Sequence, residues 1–344
     1  MATTDTDSAL NSSDHNDPGK GPRINGENGS GNDNTGLTPP LVDLHLHTTA
    51  SDGQLSPTEL IDRVAATSLR IVAITDHDST EGVAEAQAAA ERHPGLTVIP
   101  GIELGTEDGD SEVHLVSHFV DTSAPGLQDY LTFLRNGRVE AAKGTVNKLA
   151  ELGVHIEWER VMEIAGGAVG RPHIARAMAE AGYVQNAQDA FQRYLGNDGV
   201  ARVRRPKPSP GDGVRFLHSI GATATLAHPQ TVKGLRNVLG FLVDEGLDGI
   251  EVFAPKYGTS DRERRLEVAS RNGLIAVGGS DYHAWGAADE IVPGDPDTVG
   301  PPIDAVERLR AAADRWKASP PAGDFNVCGV PETPGGTQAT PGAG

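Results

Sequence analysis

The chain is almost without cysteine: Cys328 is the only one in 344 residues. No intrachain disulfide can form, which excludes a disulfide-stapled scaffold and suits a reducing cytoplasm. Positive charge is scarce, with 29 Lys and Arg against 48 Asp and Glu, a net charge of −19. Such a chain repels long polyanions, so duplex DNA and anionic membranes are poor partners. A small anionic substrate stays open, because bound divalent ions can invert a local field. No apolar run approaches membrane-spanning length, and the N-terminus lacks the apolar core of a signal peptide. The expectation is a cytoplasmic protein with no obligate protein partner.

Aromatic residues are also few, at 4%, and large apolar side chains are nearly missing from both ends. Residues 1–38 are crowded with Asn, Asp, Gly, Ser and Thr, and residues 318–344 with Pro, Gly and Thr. Neither segment can bury enough surface to offset chain entropy, so both are expected to be disordered tails. The folded part is then residues 39–317, enough for one large α/β domain or two smaller ones.

Within it, short apolar runs alternate with helical patterns. Leu41–His47 reads as a strand, and Ser56-Pro57-Thr58-Glu59 as a capped helix start. Leu69–Thr75 is a second, nearly continuous apolar strand. Leu96–Ile102 is a third and Glu112–Phe119 a fourth. From about 122 to 210 strand signals are scarce and four helices follow one another, which predicts an inserted helical subdomain. The alternation then resumes, with strands at 222–227, 249–253 and 274–278 and a closing helix at 302–316. Strand–helix–strand repetition implies parallel strands, whose carboxyl ends collect ligands.

Polar groups stand at those ends: His45, His47, Asp52, Asp76, His77, Glu103, His228, Asp281 and His283, with His114 inside the fourth strand. A lone strand histidine is usually a hydrogen-bonded core residue, and a lone Asp after a strand a turn former. Here six of the twelve histidines fall at such places, beside carboxylates. In a strand, His45 and His47 project to the same face. Imidazole and carboxylate without thiolate suit Mn²⁺, Zn²⁺ or Fe²⁺ in open multi-metal sites. Ions about 4 Å apart can bind phosphate oxygens and generate a hydroxide nucleophile.

His45-Leu46-His47, Thr75-Asp76-His77-Asp78, Gly101-Ile102-Glu103, His114, Ala227-His228-Pro229 and Ser280-Asp281-Tyr282-His283 resemble the motifs of the PHP (polymerase and histidinol phosphatase) family, in order and spacing. Asp52-Gly53 and the helical insert are most similar to the branch of 3′,5′-nucleotide bisphosphate phosphatases and 5′→3′ exoribonucleases. The resemblance implies a distorted (β/α)7 barrel holding two or three divalent ions, with Mn²⁺ expected first. Carried over, His45, His47, Glu103 and Asp281 would hold one ion. Glu103, His114 and His228 would hold a second, and Asp52, His77 and His283 a third. Asp76, His77, Glu103 and His228 are expected at the reacting centre, Asp76 and Asp78 by orienting imidazoles. His118 fits no ligand motif and is expected to pack in the core.

Gly170-Arg171-Pro172-His173 also resembles this branch, and Arg171 and His173, at a helix start, are expected to bind substrate phosphate. Arg204, Arg205 and Lys207 read as a solvated loop. Lys256 and Tyr257 are candidates for a base or ribose pocket. The expected activity is hydrolysis of phosphate monoesters of small nucleotides, such as 3′-phosphoadenosine 5′-phosphate, or of short RNA 5′ ends, by a metal-bound hydroxide. The alternatives are a phosphatase of another metabolite such as histidinol phosphate, an amide hydrolase of similar design, or a non-catalytic metal-binding scaffold.

Overall fold

The structure is a computed structural model that describes residues 39–321, except 110, 166–167, 206, 255–256, 287–290 and 296–297. The expected tails therefore lie outside the described residues, apart from 318–321. Seven strands form one sheet in sequence order: β1 (Val42–Leu46), β2 (Ile71–Ile74), β3 (Thr97–Asp108), β4 (Ser111–His118), β5 (Thr225–Leu226), β6 (Gly249–Glu251) and β7 (Ile275–Val277). Backbone bonds from Leu44 N–H to Gly278 O (3.1 Å) and from Asp281 N–H to His45 O (3.0 Å) tie the exit of β7 back to β1 and curl the sheet into a distorted barrel. A Cβ on Gly279 would sit 2.4 Å from the His45 nitrogen, so only glycine lets the two chains approach this closely.

Helices cover the outside. α1 (Pro57–Ala65) starts where the sequence places it, with Ser56 and Glu59 forming a reciprocal capping box. α2 (Val83–Ala90) packs with α1 against β1 and β2, around buried Leu60, Ile61, Val72 and Ile74. After the insert come α7 (Pro210–Ser219), α8 (Leu235–Asp244), α9 (Thr259–Arg271) and α10 (Ile303–Ala318). The insert comprises α3 (Leu127–Glu151), α4 (Trp158–Ala165), α5 (Arg171–Glu180) and α6 (Ala187–Ala190), the last running into a π turn at Phe191–Leu195. It has a core of its own around Leu149, Val161, Ile174, Met178 and Leu195, distinct from the barrel clusters.

One strand departs from the expected parallel order. β3 runs on to Asp108 and turns at Gly109 (φ 56°), so β4 pairs with it antiparallel, Gly105 opposite His114 and Gly101 opposite His118. The reversal decides the fate of two histidines. The start of β4, with His114, lies beside the carboxyl ends of the other strands. Its end, with His118, lies about 13 Å down the barrel, at roughly 3.3 Å per residue. There His118 is fully buried and its Nε2 hydrogen-bonds the Leu44 carbonyl oxygen at 3.0 Å.

Candidate metal centre

The strand ends converge on Glu103, which is fully buried and sits in β3 beside the carboxyl ends of β1 and β2. Its Oε2 lies 3.2 Å from His45 Nε2, 3.2 Å from His47 Nε2 and 3.0 Å from His77 Nδ1. Its Oε1 lies 2.8 Å from His114 Nδ1 and 2.9 Å from His228 Nε2. Asp281 Oδ1 completes one side, 3.4 Å from His45 Nε2 and 3.3 Å from His47 Nε2. On the other side Asp52 faces His283 Nε2 at 3.3 Å, His77 Nε2 at 3.9 Å and His47 Nδ1 at 4.0 Å.

Three overlapping groups in this cluster could each hold a cation: His45, His47, Glu103 and Asp281; His77, Glu103 and His114; and His47, Asp52, His77 and His283. His228 adjoins the second through Glu103. Several of these atoms are buried without a hydrogen bond: both ring nitrogens of His47, Nδ1 of His77 and Oδ1 of Asp52. Orphaned buried nitrogen and oxygen cost about 1–3 kcal/mol each, a cost that coordination would remove. The all-N/O donor set fits a divalent ion of the Mn, Fe or Zn kind.

Electrostatics divide the cluster's imidazoles, and a cation would have to displace the proton of those that are raised. Burial opposes charge on Glu103, yet the imidazoles of His77, His45 and His114 hold its carboxyl well below the ordinary range. Burial lowers His114 to about 4, so it is neutral and able to ligate at physiological pH. His283 is raised to about 9, burial being outweighed by the Asp52 carboxylate. Two of the cluster residues, His228 (φ 26°) and Asp281 (φ 54°), and the neighbouring Asp78 (φ 48°) hold left-handed backbone. Such strain costs on the order of 1–3 kcal/mol per residue and persists where a site demands it.

Around the cluster, the structure corrects two expectations. Asp76 and Asp78 do not orient imidazoles. Asp76 accepts from Thr48 N–H (2.7 Å), Thr48 Oγ1 (2.7 Å) and Ser51 Oγ (2.6 Å), and so fixes the turn that delivers Asp52. Asp78 is paired with Arg138 Nε and an Arg205 terminal nitrogen, each at 2.7 Å, and accepts from Gly105 N–H at 3.0 Å. Burial raises its carboxyl, but Arg138 and Arg205 outweigh burial and hold it far below the ordinary range. Nor is the basic run a solvated loop. The Arg202, Arg205 and Lys207 side chains are only 7–8% exposed, whereas that of Arg204 is 49% exposed. Lys207 and Arg171 both bind Glu112, each at 2.6 Å.

These cations help line a cavity of about 160 Å³ that Asp52, His77 and His114 also line, with Glu107 and Glu112 among the cations. Arg171 thus lies near the cluster. His173 is buried, and its Nδ1 accepts from Gly170 N–H at 3.0 Å. Tyr257 is buried against Arg265 and hydrogen-bonds Gln230; Lys256 lies outside the described residues.

Two residues were not legible beforehand. Glu251, at the end of β6, receives His45 Nδ1 at 2.8 Å and His228 N–H at 2.6 Å. Its signal was the shared one, a carboxylate at a strand end, hidden because the strand was taken to run on to Phe253. Arg138 sits in the middle of a long helix, where nothing local marks it.

The PHP domain family matches residues 43–201. A 3′,5′-nucleoside bisphosphate phosphatase of Chromobacterium violaceum is 34% identical over 251 residues, 71% of this chain and 88% of the relative. A 5′-3′ exoribonuclease of Salmonella typhimurium is 31% identical over 249 residues, 71% of this chain and 85% of the relative. A crystal structure from Bifidobacterium adolescentis, assigned as a metal-dependent phosphoesterase, superposes with a TM-score of 0.71 at 30% identity, covering 80% of this chain and 98% of that one.

Proposed function

Because the chain belongs to the PHP-domain family, we propose that it is a metal-dependent phosphoesterase acting on phosphate monoesters of small nucleotides, 3′,5′-bisphosphates first, or on short RNA 5′ ends. One observation carries the reading: a cluster that could hold several cations lends Asp52, His77 and His114 to the lining of a cavity that Arg138, Arg171, Arg205 and Lys207 also line. A substrate with one phosphate to cleave and a second anion to hold fits that pairing of a metal site with a cationic wall. The acidic chain, at −19, favours small substrates over long polyanions.

In this reading His45, His47, Glu103 and Asp281 hold one ion, Glu103, His114 and His228 a second, and Asp52, His77 and His283 a third. Mn²⁺ is the proposed ion, with Zn²⁺ or Fe²⁺ as alternatives. When bound, such ions supply charge at the phosphoryl oxygens and lower the pKa of water into the physiological range. The chain's own residues do the rest. Glu103 offers both carboxylate oxygens between two sets of imidazoles. His77 and His228 face the reacting centre from opposite sides of Glu103. Glu251 fixes the ring of His45, and Asp76 fixes the turn bearing Asp52. Arg171 contacts substrate phosphate in place of part of its bond to Glu112, and His173 contacts substrate from the same helix start. The barrel of residues 39–317, with the insert at about 122–210, forms the working unit, in a reducing cytoplasm.

The test is a phosphate-release screen with Mn²⁺ across 3′,5′-bisphosphates, 5′-monophosphates and histidinol phosphate. Bisphosphates should be turned over with the highest kcat/KM. Arg171→Ala should raise KM about tenfold or more at constant metal content, as expected for losing a charge-assisted contact of roughly 1.5–3 kcal/mol. No turnover of any substrate by fully metallated protein would sink the reading in favour of a scaffold.

A further inference from the structure

The cavity beside the candidate metal centre holds an imbalance of charge. Five mostly buried cations line it, Arg138, Arg171, Arg202, Arg205 and Lys207, and the carboxylates paired with them are three, Asp78, Glu107 and Glu112. Two positive charges are left over, in a chain whose net charge is −19. Arg204 also lies 3.4 Å from Glu107, but its side chain is 49% exposed and water screens it.

Two of the carboxylates are shared between cations. Asp78 accepts from Arg138 and Arg205, each at 2.7 Å. Glu112 accepts from Arg171 at Oε2 and from Lys207 at Oε1, each at 2.6 Å, and an Arg202 terminal nitrogen stands 3.4 Å from the same Oε1. Their surroundings differ. Asp78 is fully buried and also takes the Gly105 N–H. The Glu112 side chain is 16% exposed. It lines this cavity and an adjoining one of about 380 Å³ that carries His114, His228 and Asp281 of the cluster. Glu112 and His114 are two apart in β4, so both side chains leave the same face of the strand.

Glu112 is also held against a repulsion. The β3–β4 hairpin sets Glu107 directly opposite it, and like charges so placed destabilise a strand pair. That repulsion opposes the ion pairs that keep Glu112 on Arg171 and Lys207. Arg202 lies between the two carboxylates, 3.7 Å from Glu107 and 3.4 Å from Glu112, and stays within reach of Glu112 when its other bonds are broken.

We propose that Glu112 is a specificity-determining residue of this cavity: a resident counter-ion that occupies Arg171 and Lys207 until the second phosphate of the substrate takes its place. The proposal rests on the phosphoesterase reading and adds the residue that sets which anions enter. Replacing one carboxylate by another monoanion gains no charge. A phosphate monoester dianion gains one, and the left-over positive charge receives it. The resident anion is thus the repulsive element that keeps weaker anions out.

The test turns on a sign. A carboxylate that only orients Arg171 and Lys207 would weaken anion binding when removed, whereas a resident competitor strengthens it. Sulfate, an inert dianion, is titrated calorimetrically into the full chain with Mn²⁺ present. Glu112→Gln should tighten sulfate by on the order of 10- to 100-fold, the range expected of one charge-assisted contact. It should also lower KM for a nucleoside 3′,5′-bisphosphate, opposite to Arg171→Ala. Glu112→Asp, which keeps the charge but shortens the reach, should tighten sulfate by a smaller factor and judges the proposal if the Gln variant does not fold. Glu107→Gln removes the same charge from the facing strand without touching Arg171 or Lys207, and should change sulfate affinity far less. Weaker or unchanged sulfate binding in the Glu112 variants, or an equal gain in Glu107→Gln, would overturn the proposal. Protein that hydrolyses no phosphate ester yet shows the sulfate result would keep Glu112 in this role and sink only the phosphoesterase reading.

Discussion

Glu251 shows how much one side chain can govern here. It spends one oxygen on His45 Nδ1 and the other on the backbone N–H of His228, a residue held at φ 26°. Both contacts need acceptors. Gln at 251 keeps the volume but can accept at one atom only, so either the His45 ring or the His228 backbone loses its anchor. Glu251→Gln should weaken metal binding about 10- to 100-fold, the usual cost of losing a group that orients a ligand, measured by competition with a chromophoric chelator. Unchanged affinity would show that the His45 ring is held by packing alone.

At the scale of elements, the insert is fastened to the barrel by charge. Asp78 follows β2, and its two cationic partners come from the insert: Arg138 in α3 and Arg205 in the segment before α7. Arg205 also donates to the Leu134 carbonyl oxygen at 2.7 Å, which ties that segment to α3. Asp78→Asn strands two largely buried guanidiniums and should destabilise the fold by about 3–5 kcal/mol, read as a shift in the urea midpoint. The sign with pH follows from the depressed carboxyl. The pairing is at full strength above the unfolded value of about 3.9, and it is lost as pH falls through the folded value. The gap between wild type and Asp78→Asn should therefore be flat above about pH 5 and shrink below about pH 4. A gap that widens in acid would refute the assignment. The elements themselves were largely legible: periodicity and the Ser56–Glu59 box place α1, and the four helices of the insert follow their expected order. The long β3–β4 hairpin was not, because Leu104–Asp108 lacks the continuous apolar character of a buried strand, and its pairing with β4 is what makes it one.

At the scale of the whole molecule, the six clustered imidazoles and the carboxylates of Asp52, Glu103 and Asp281 come from every part of the barrel sequence, residues 45 to 283. Any cation they share cross-links strands far apart in the chain, and none of these sites exists in the unfolded state. Binding is then linked to folding: a single site at a hundredfold excess over its Kd adds about 2.7 kcal/mol. Treatment with a chelator should lower the thermal midpoint, and Mn²⁺ should restore it in proportion to the logarithm of its concentration. A midpoint indifferent to both would mean that the cluster holds no ion that matters to folding. No described helix is long and apolar enough to cross a membrane.

The sequence by itself determined the chemistry of the donors and the strands that carry them. His45 and His47 two apart, and polar groups closing one apolar run after another, follow from local patterning and survive in the fold as neighbours of Glu103. Only the tertiary structure decided which groups face one another. The reversal of β4 brought His114 to the mouth and left His118 below it. The distance between residues 78, 138 and 205 along the chain hid an ion-pair clasp that drew the basic run inward instead of leaving it solvated. Asp76 and Glu251 acquired their roles from loops and backbone donors that no spacing rule encodes. Periodicity is a property of neighbours in sequence, whereas charge pairing is a property of neighbours in space, and folding alone sets the second.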